Sequence, residues 1–171
     1  MSVTKYIGTG KVTSADFREI SWVGLTKGGN AITIRLHNAI NMGNLDWTFA
    51  EKNDVVPSVE FTACYTNTDA ASDSTLEPFE VEINGAAANT GADGIILGAG
   101  KFYIGDTLIA LTRGGGQFTV EREYREINAD GDRGAVKGRV VMEGSRPKLT
   151  MNVLTMLANI STLYNAVEVS A

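Results

Sequence analysis

Cysteine, histidine and proline are scarce in this chain, and the three scarcities argue against disulfides, histidine-rich sites and disorder respectively. The 171 residues include 1 cysteine, 1 histidine and 3 prolines. The single cysteine, Cys64, allows no disulfide within the chain and suits a reducing compartment. The single histidine, His37, would have to supply the imidazole of any catalytic triad or histidine-containing metal site. With so few prolines and 43% hydrophobic residues, the composition indicates a folded domain rather than a disordered chain.

Two further absences concern membranes and nucleic acids. No apolar run is long enough to cross a bilayer, and the first ten residues lack the apolar segment of a signal peptide. We therefore expect an unsecreted protein with no membrane partner. The formal net charge is -5, whereas a nucleic-acid-binding surface needs a basic footprint. The charge disfavours DNA binding, although an acidic surface that only lies beside DNA remains compatible with it.

Alternation of apolar and polar residues dominates the chain and predicts β-strands with one buried and one wet face. The clearest case is residues 31–37, where Ile32, Ile34 and Leu36 alternate with polar residues. The other predicted strands are residues 4–13, 16–23, 45–49, 59–65, 79–83, 107–112, 117–127, 135–142 and 149–153. Residues 144–147 are predicted to turn the chain between the last two of these strands. Apolar residues recur at helical spacing only at 154–166, which predicts the one helix.

These elements predict the fold class and the domain organisation. The chain is long enough for one domain with a substantial core, and the element types favour a mainly β, single-domain β-sandwich or barrel with one α-helix. Composition divides this domain, residues 1–171, into two β-rich halves, 1–83 and 95–171. The intervening residues 84–94 contain no large apolar side chain, so we predict a flexible linker there.

The most distinctive stretch surrounds three consecutive glycines. The extended runs 107–112 and 117–127 flank Arg113, Gly114, Gly115 and Gly116. Three glycines indicate a turn or a bulge, because glycine adopts positive φ without steric cost. We interpret the stretch as a long hairpin, with the Arg113–glycine segment as a candidate assembly element.

The second strand of this predicted hairpin has one mainly apolar side and one polar side. Phe118, Val120 and Tyr124 share one face by alternation, and a break in parity at Glu126 predicts a bulge or the end of the strand. The opposite, wet face carries Thr119, Glu121, Glu123 and Arg125.

None of the reactive side chains forms a recognisable catalytic pattern. Glu121 and Glu123 share a strand face, as the paired carboxylates of a hydrolase would, but alternating charges are more typical of a solvated strand. Nothing near Cys64 in the sequence indicates an activated thiol. We therefore predict that the protein is not an enzyme and has no cofactor and no metal site.

Three segments resemble the tail tube (major tail) proteins of long-tailed bacteriophages. They are LTRGGGQFTVEREYREINADGDRGAVKGRVVMEGSRPKLTMNVL, the TMLANISTLYNAV that follows, and IRLHNAINMGNLDWTFAEKNDVVPSVEFTACY. Together they cover most of the chain, and the RGGG-x-F-x-V-E-R-E-Y-R run is specific.

The resemblance implies a structural role in the virion. It implies a small β-sandwich or barrel with one helix that assembles, in the host bacterial cytoplasm, into hexameric rings stacked as a hollow tail tube. The partners would be other copies of this chain and other tail proteins, and DNA would pass through the lumen without sticking. Under this hypothesis Thr119, Glu121, Glu123 and Arg125 face the lumen, because an acidic lining does not bind phosphates.

The order of the segments differs from the family pattern. In the family the RGGG segment precedes the NAINMGNLDW segment, whereas here it follows. Residues 84–94 then resemble a segment that connects the family's usual C-terminus to its usual N-terminus. This arrangement indicates a circular permutation. A permutation predicts that Met1 and Ala171 lie close together. The alternatives from other classes are a non-assembling or engineered permuted variant and a ligand-binding β-sandwich, which needs exposed Trp and Tyr on one face.

Overall fold

Antiparallel strands account for most of the computed structural model, which describes residues 4–44, 46–47, 49, 54–66, 76–84, 96–110, 112–131, 133–154, 159–164 and 166–170. The predicted fold class is confirmed, because the described residues are mainly β with one short α-helix. The strands are β1 (Thr4–Gly8), β2 (Arg18–Thr26), β3 (Ala31–Asn41), β4 (Ser58–Ala63), β5 (Phe79–Asn84), β6 (Ile96–Ile104), β7 (Thr107–Ala110), β8 (Thr112–Glu126), β9 (Val140–Val153) and β10 (Ala166–Ser170). The helix is α1 (Ile160–Leu163).

Two strands of the main sheet share one edge of β3. The strand order of this sheet is β7-β6-β2-β3-β4-β9-β8, and β5 pairs with β3 outside this order. One edge of β3 therefore holds two partners, β5 along residues 31–36 and β4 along residues 39–41. Asn38 lies between the two partners with a φ of 48°, a left-handed conformation in which asparagine is enriched.

One hydrophobic core joins both ends of this sheet. Buried residues come from β2, β3, β4, β6, β7 and β9, and Leu163 adds the contribution of α1. Phe61 of β4 and Phe102 of β6 lie with ring centroids 5.7 Å apart. Since strands that are distant in the sheet order contact one another through this cluster, the sheet curves around it in the manner of a barrel or sandwich.

Trp22 covers two glycines on this inner side of the sheet. A Cβ atom added to Gly24 would lie 2.2 Å from Trp22 Cη2, and one added to Gly100 would lie 2.2 Å from Trp22 Nε1. The indole ring therefore occupies the space that side chains would take at both positions. The absence of a side chain at each glycine is required by this packing.

The predicted hairpin of residues 107–127 is wrong. β7 pairs with β6, while β8 runs on through the three glycines and pairs with β9. The glycines form a bulge rather than a turn: the β8–β9 register shifts between Thr112 and Gly116, and Gly114 and Gly115 have φ of 87° and 85°. The predicted break at Glu126 is confirmed, because β8 ends there.

Three other local predictions also need correction. The helix predicted at 154–166 is helical only in α1, and Ala166 already belongs to β10, which pairs with β1; residues 155–158 and 165 lie outside the described part. The turn predicted at 144–147 lies within β9, where Pro147 stands opposite Val120. Of the strand predicted at 45–49, the described residues 46, 47 and 49 are not in a strand.

The linker prediction falls almost entirely outside the described residues. Only Asn84 of residues 84–94 is described, and it ends β5. Met1 and Ala171 also lie outside the described part, but β1 and β10 form a two-stranded antiparallel sheet in which Thr4 stands opposite Ser170. Among the described residues, no helix has the length and apolar character needed to span a membrane.

Candidate assembly surfaces

The four candidate lumen residues lie on β8, where the two glutamates among them stand opposite a basic and a small residue of β9. Thr119 is half-buried, and the other three are exposed. Lys148 Nζ donates a hydrogen bond of 3.2 Å to a carboxylate oxygen of Glu121, and Arg125 forms an ion pair with Glu143. Across the strands Glu121 stands opposite Arg146 and Glu123 opposite Gly144. The β8 face is thus a ladder of balanced charges rather than an acidic surface.

The far end of the β8–β9 pair is exposed on both faces. We call residues 121–126 together with 140–143 the ribbon, and every residue in it is exposed. Apolar side chains are present despite this exposure, with Tyr124 57%, Val141 42% and Met142 44% accessible. A two-stranded ribbon is marginally stable in water by itself. The ribbon is therefore a candidate contact surface.

The Arg113–glycine segment lies beside a groove. Arg113 forms an ion pair with Asp54. A Cβ atom on Gly116 would lie 2.8 Å from the carbonyl oxygen of Thr150, so β8 approaches β9 closely there. Gly114 and Gly115 line a cavity of about 360 Å³, which we call the groove. Its other wall includes Gly98, Gly100 and Leu108.

A second charged surface lies on the side of the sheet away from the core. Arg35 contacts three carboxylates: Glu19 at 3.2 Å, Glu82 at 3.8 Å, and Glu80. His37 Nδ1 lies 3.6 Å from Glu19, and its Nε2 lies 3.9 Å from Glu80. We call these five residues the charged face. Because three carboxylates meet one guanidinium and one imidazole, the charged face has an excess of negative charge.

The sequence identified Arg35 and His37 as outward-facing, as the structure confirms, but it did not identify their partners. Glu80 and Glu82 lie 45 and 47 positions further along the chain and reach Arg35 only because β5 pairs with β3. The alternation of Phe79, Val81 and Ile83 places both glutamates on one side of the strand. It does not say which strand lies next to them.

His37 and Cys64 also line a cavity of about 500 Å³ beside the charged face. Burial raises the pKa of the Cys64 thiol, so the cavity favours the neutral thiol over the nucleophilic thiolate. Within the described ranges no three His, Cys, Asp or Glu side chains are grouped so that they could hold a metal ion.

An ion pair connects β8 to the segment that leads into β5. Arg122 Nε and Nη2 each donate a hydrogen bond of 2.7 Å to the carboxylate of Glu77. The adjacent Phe79 and Phe118 rings lie with centroids 5.4 Å apart. The hydrogen bonds from Arg122 hold the pKa of Glu77 below its ordinary value of 4.5. This contact fixes the start of β5 against the β8–β9 pair.

We expect this pair to make stability fall in acid. A carboxylate whose pKa is lowered by folding stabilises the folded state above pH 4.5, and that contribution is lost as the pH falls through the lowered pKa. Glu77→Gln should therefore lose about 1 kcal/mol at neutral pH and flatten the decline in the free energy of unfolding below pH 4.5. Urea titrations from pH 7 to pH 3 measure both effects. Arg122→Gln should likewise flatten the pH dependence, and an undiminished pH dependence in both variants would contradict the assignment.

Comparisons with protein-family models, with curated proteins and with solved structures found no match to this chain.

Proposed function

We propose that this chain is a structural subunit that self-assembles into rings, which stack as the hollow tail tube of a long-tailed bacteriophage. The subunit acts by shape and charge, without catalysis or a cofactor. Its partners are other copies of itself and the other proteins of the tail. Assembly takes place in the host bacterial cytoplasm and ends in the virion.

The observation that carries the proposal is a four-stranded section of sheet with two open edges. The section has the order β6-β2-β3-β5. Among the described strands β5 pairs with β3 alone, and β6 pairs with β2 alone from Ile96 to Lys101, so the outer edges of both are unpaired there. Open edges of this length present unpaired N–H and C=O groups and are templates for pairing with another chain. A section that is open at both ends can be continued by identical copies until a ring closes.

The charge on the two sides of this section supports a tube that encloses DNA. One side joins the hydrophobic core through Ile20, Leu36 and Phe102. The other side is the charged face, with its excess of carboxylates. In a closed ring whose core lies outward, the charged face lines the lumen and repels phosphates. The sequence hypothesis instead gave the role of lining the lumen to Thr119, Glu121, Glu123 and Arg125. The two glutamates of that set stand opposite a basic and a small residue of β9.

The ribbon and the β1–β10 pair fit the same proposal. The ribbon exposes apolar side chains that a second ring can cover. The pairing of Thr4 with Ser170 agrees with the closeness of the ends that a permuted segment order requires.

DNA retention distinguishes the two candidate linings. We expect assembled Glu19→Gln/Glu82→Gln to retain DNA at low salt and to release it at high salt, because Arg35 is then less compensated. Glu121→Gln/Glu123→Gln makes the same change in charge on the β8 face and is the matched control. Retention is measured by nuclease protection of DNA that co-sediments with the tubes. Retention by the β8 variant alone would place the lumen at Glu121 and Glu123.

Light scattering tests whether the chain self-associates. We expect the weight-average mass to rise with protein concentration above the 18.2 kDa of one chain, because open strand edges pair by mass action. A mass that stays at one chain at every concentration and ionic strength would contradict self-assembly.

A further inference from the structure

A cavity opens where the shared edge of β3 passes from one partner strand to the other. The chain leaves this edge after Ala63 of β4 and returns to it at Phe79 of β5. The cavity of about 500 Å³ that His37 lines lies at this division, and we call it the interstrand cavity. The backbone N–H of His37 donates a hydrogen bond of 3.0 Å to the carbonyl oxygen of Pro78, another lining residue. Main-chain pairing therefore holds the walls of the interstrand cavity in place.

Aromatic rings from three separate segments form much of the lining. Phe17 precedes β2, Tyr65 follows β4, and Phe79 begins β5. All three are half-buried. Small-molecule sites are typically apolar clefts of about 300–1,000 Å³ with a few polar groups, and the faces of aromatic rings attract cations. The size and the rings of the interstrand cavity therefore fit a small organic cation.

Two carboxylates with excess negative charge line the same cavity. Glu19 of β2 and Glu80 of β5 lie on either side of the His37 ring, at 3.6 Å from Nδ1 and 3.9 Å from Nε2. Both also contact Arg35, which in addition contacts Glu82. One guanidinium thus compensates three carboxylates only in part. The remaining negative charge favours a cationic ligand.

The other charged groups of the lining already have partners. Glu77 accepts two hydrogen bonds of 2.7 Å from Arg122. Arg18 is exposed, and its guanidinium interacts with the carboxylate of Asp16. Neither residue therefore cancels the negative charge that Glu19 and Glu80 contribute to the interstrand cavity.

The spacing of the two carboxylates favours an elongated cation over a metal ion. Within the part of the chain that the structure describes, no three His, Cys, Asp or Glu side chains are grouped so that they could hold a metal ion. Glu19 and Glu80 are instead separated by the imidazole of His37. An aliphatic diamine has an ammonium group at each end and an apolar chain between them. Its two charges match the two carboxylates, and its chain matches the rings.

We propose that the interstrand cavity binds a small aliphatic diamine. The ammonium groups contact Glu19 and Glu80, and the methylene chain packs against the three aromatic rings. The site goes beyond the proposed function, because a single chain holds every residue that the site needs. In an assembled tube the ligand would lie beside the charged face and offset part of its negative charge.

Calorimetric titration of the full chain with 1,4-diaminobutane at fixed ionic strength tests the site. We expect saturable binding with a Kd of about 0.1–1 mM, the range open to a ligand with so few heavy atoms. The uncharged 1,4-butanediol should not bind, because it lacks the ammonium groups. Magnesium chloride supplies the same double charge without the apolar chain and should not bind either. Saturable binding of magnesium equal to that of the diamine would overturn the site in favour of a counterion effect.

A pair of substitutions on β5 separates direct contact from general electrostatics. Glu80→Gln should raise the Kd for 1,4-diaminobutane by about tenfold or more, because it removes a charged hydrogen-bond acceptor. Glu82→Gln makes the same change in charge beside Arg35 but lies outside the lining, so it should change the Kd by no more than about twofold. Equal weakening by both variants would overturn the assignment of Glu80 as a ligand contact.

The aromatic wall has its own matched pair. Tyr65→Leu should raise the Kd by about threefold, because a cation loses one ring face. Tyr124→Leu removes an exposed ring on the ribbon and should leave the Kd unchanged. An unchanged Kd in Tyr65→Leu would overturn the part given to this ring.

Cys64 provides a readout that needs no substitution. It lines the interstrand cavity and is the one cysteine of the chain, so alkylation by iodoacetamide reports on access to this cavity. 1,4-Diaminobutane at ten times its Kd should slow the alkylation by about tenfold, and 1,4-butanediol should leave the rate unchanged. Binding in the calorimeter without protection of Cys64 would place the ligand elsewhere and overturn the proposal.

The outcomes for this site and for the proposed function are distinguishable. A chain that binds the diamine and protects Cys64 but stays monomeric would overturn the tube proposal and leave the site in place. A chain that forms rings yet shows neither saturable binding nor protection would overturn the site alone.

Discussion

Replacing Phe102 with alanine is expected to lower the free energy of unfolding by about 3–5 kcal/mol. Phe102 is fully buried, contacts Phe61, and stands opposite Trp22 across β2 and β6. Truncation leaves a cavity where three strands meet, and neighbours in a sheet cannot collapse far into it. Urea unfolding followed by circular dichroism, at a concentration where the chain is monomeric, measures the loss.

Phe49→Ala provides the control for the same chemical change at an exposed position. Phe49 is 73% accessible and makes an edge-on contact with Trp47, with ring centroids 6.3 Å apart. We expect a loss below about 1 kcal/mol. If Phe102→Ala were no more destabilising than Phe49→Ala, the core cluster would be wrongly assigned.

The second large effect is expected at the glycines under Trp22. Gly100→Ala brings a Cβ atom to 2.2 Å from Trp22 Nε1, a distance that forces the indole away from the sheet. Overpacking of this kind costs about 1–3 kcal/mol. The displaced indole should also change its fluorescence emission, which gives a readout specific to Trp22 when Trp47 is replaced by phenylalanine.

Gly98→Ala on the same strand is the matched control, because its Cβ atom meets nothing. It should leave both stability and emission nearly unchanged. In a Trp22→Ala background the cost of Gly100→Ala should largely disappear, since the side chain that it meets is gone. A cost that persists there would show that the contact with Trp22 is not what requires a glycine at this position.

Alternation in the sequence identified several strands but not β6, and it could not identify strand partners. Ile32 and Leu36 are buried as predicted, and β4 and β5 lie where the pattern placed them. The pairing of β5 with β3 joins residues far apart in the chain. Alternation reports only which side of a strand is buried, so the charged face and the open edges became visible only in the structure.

Local glycine and helix signals were ambiguous for physical reasons. Three glycines permit either a turn or a bulge, and the pairing of β8 with β9 selects the bulge. The helix predicted at 154–166 overlaps a strand at its last residue, because Ala166 begins β10, which pairs with β1. The sequence hypothesis named Gly114 and Gly115 as candidate assembly residues. It could not show that they form one wall of a groove with β6.

Negative-stain electron microscopy of the purified full chain tests the central claim most directly. Self-assembly through two open edges predicts closed rings of uniform diameter with a stain-filled centre, and stacks of such rings at higher concentration. A uniform field of single small particles at every concentration and salt would contradict the claim.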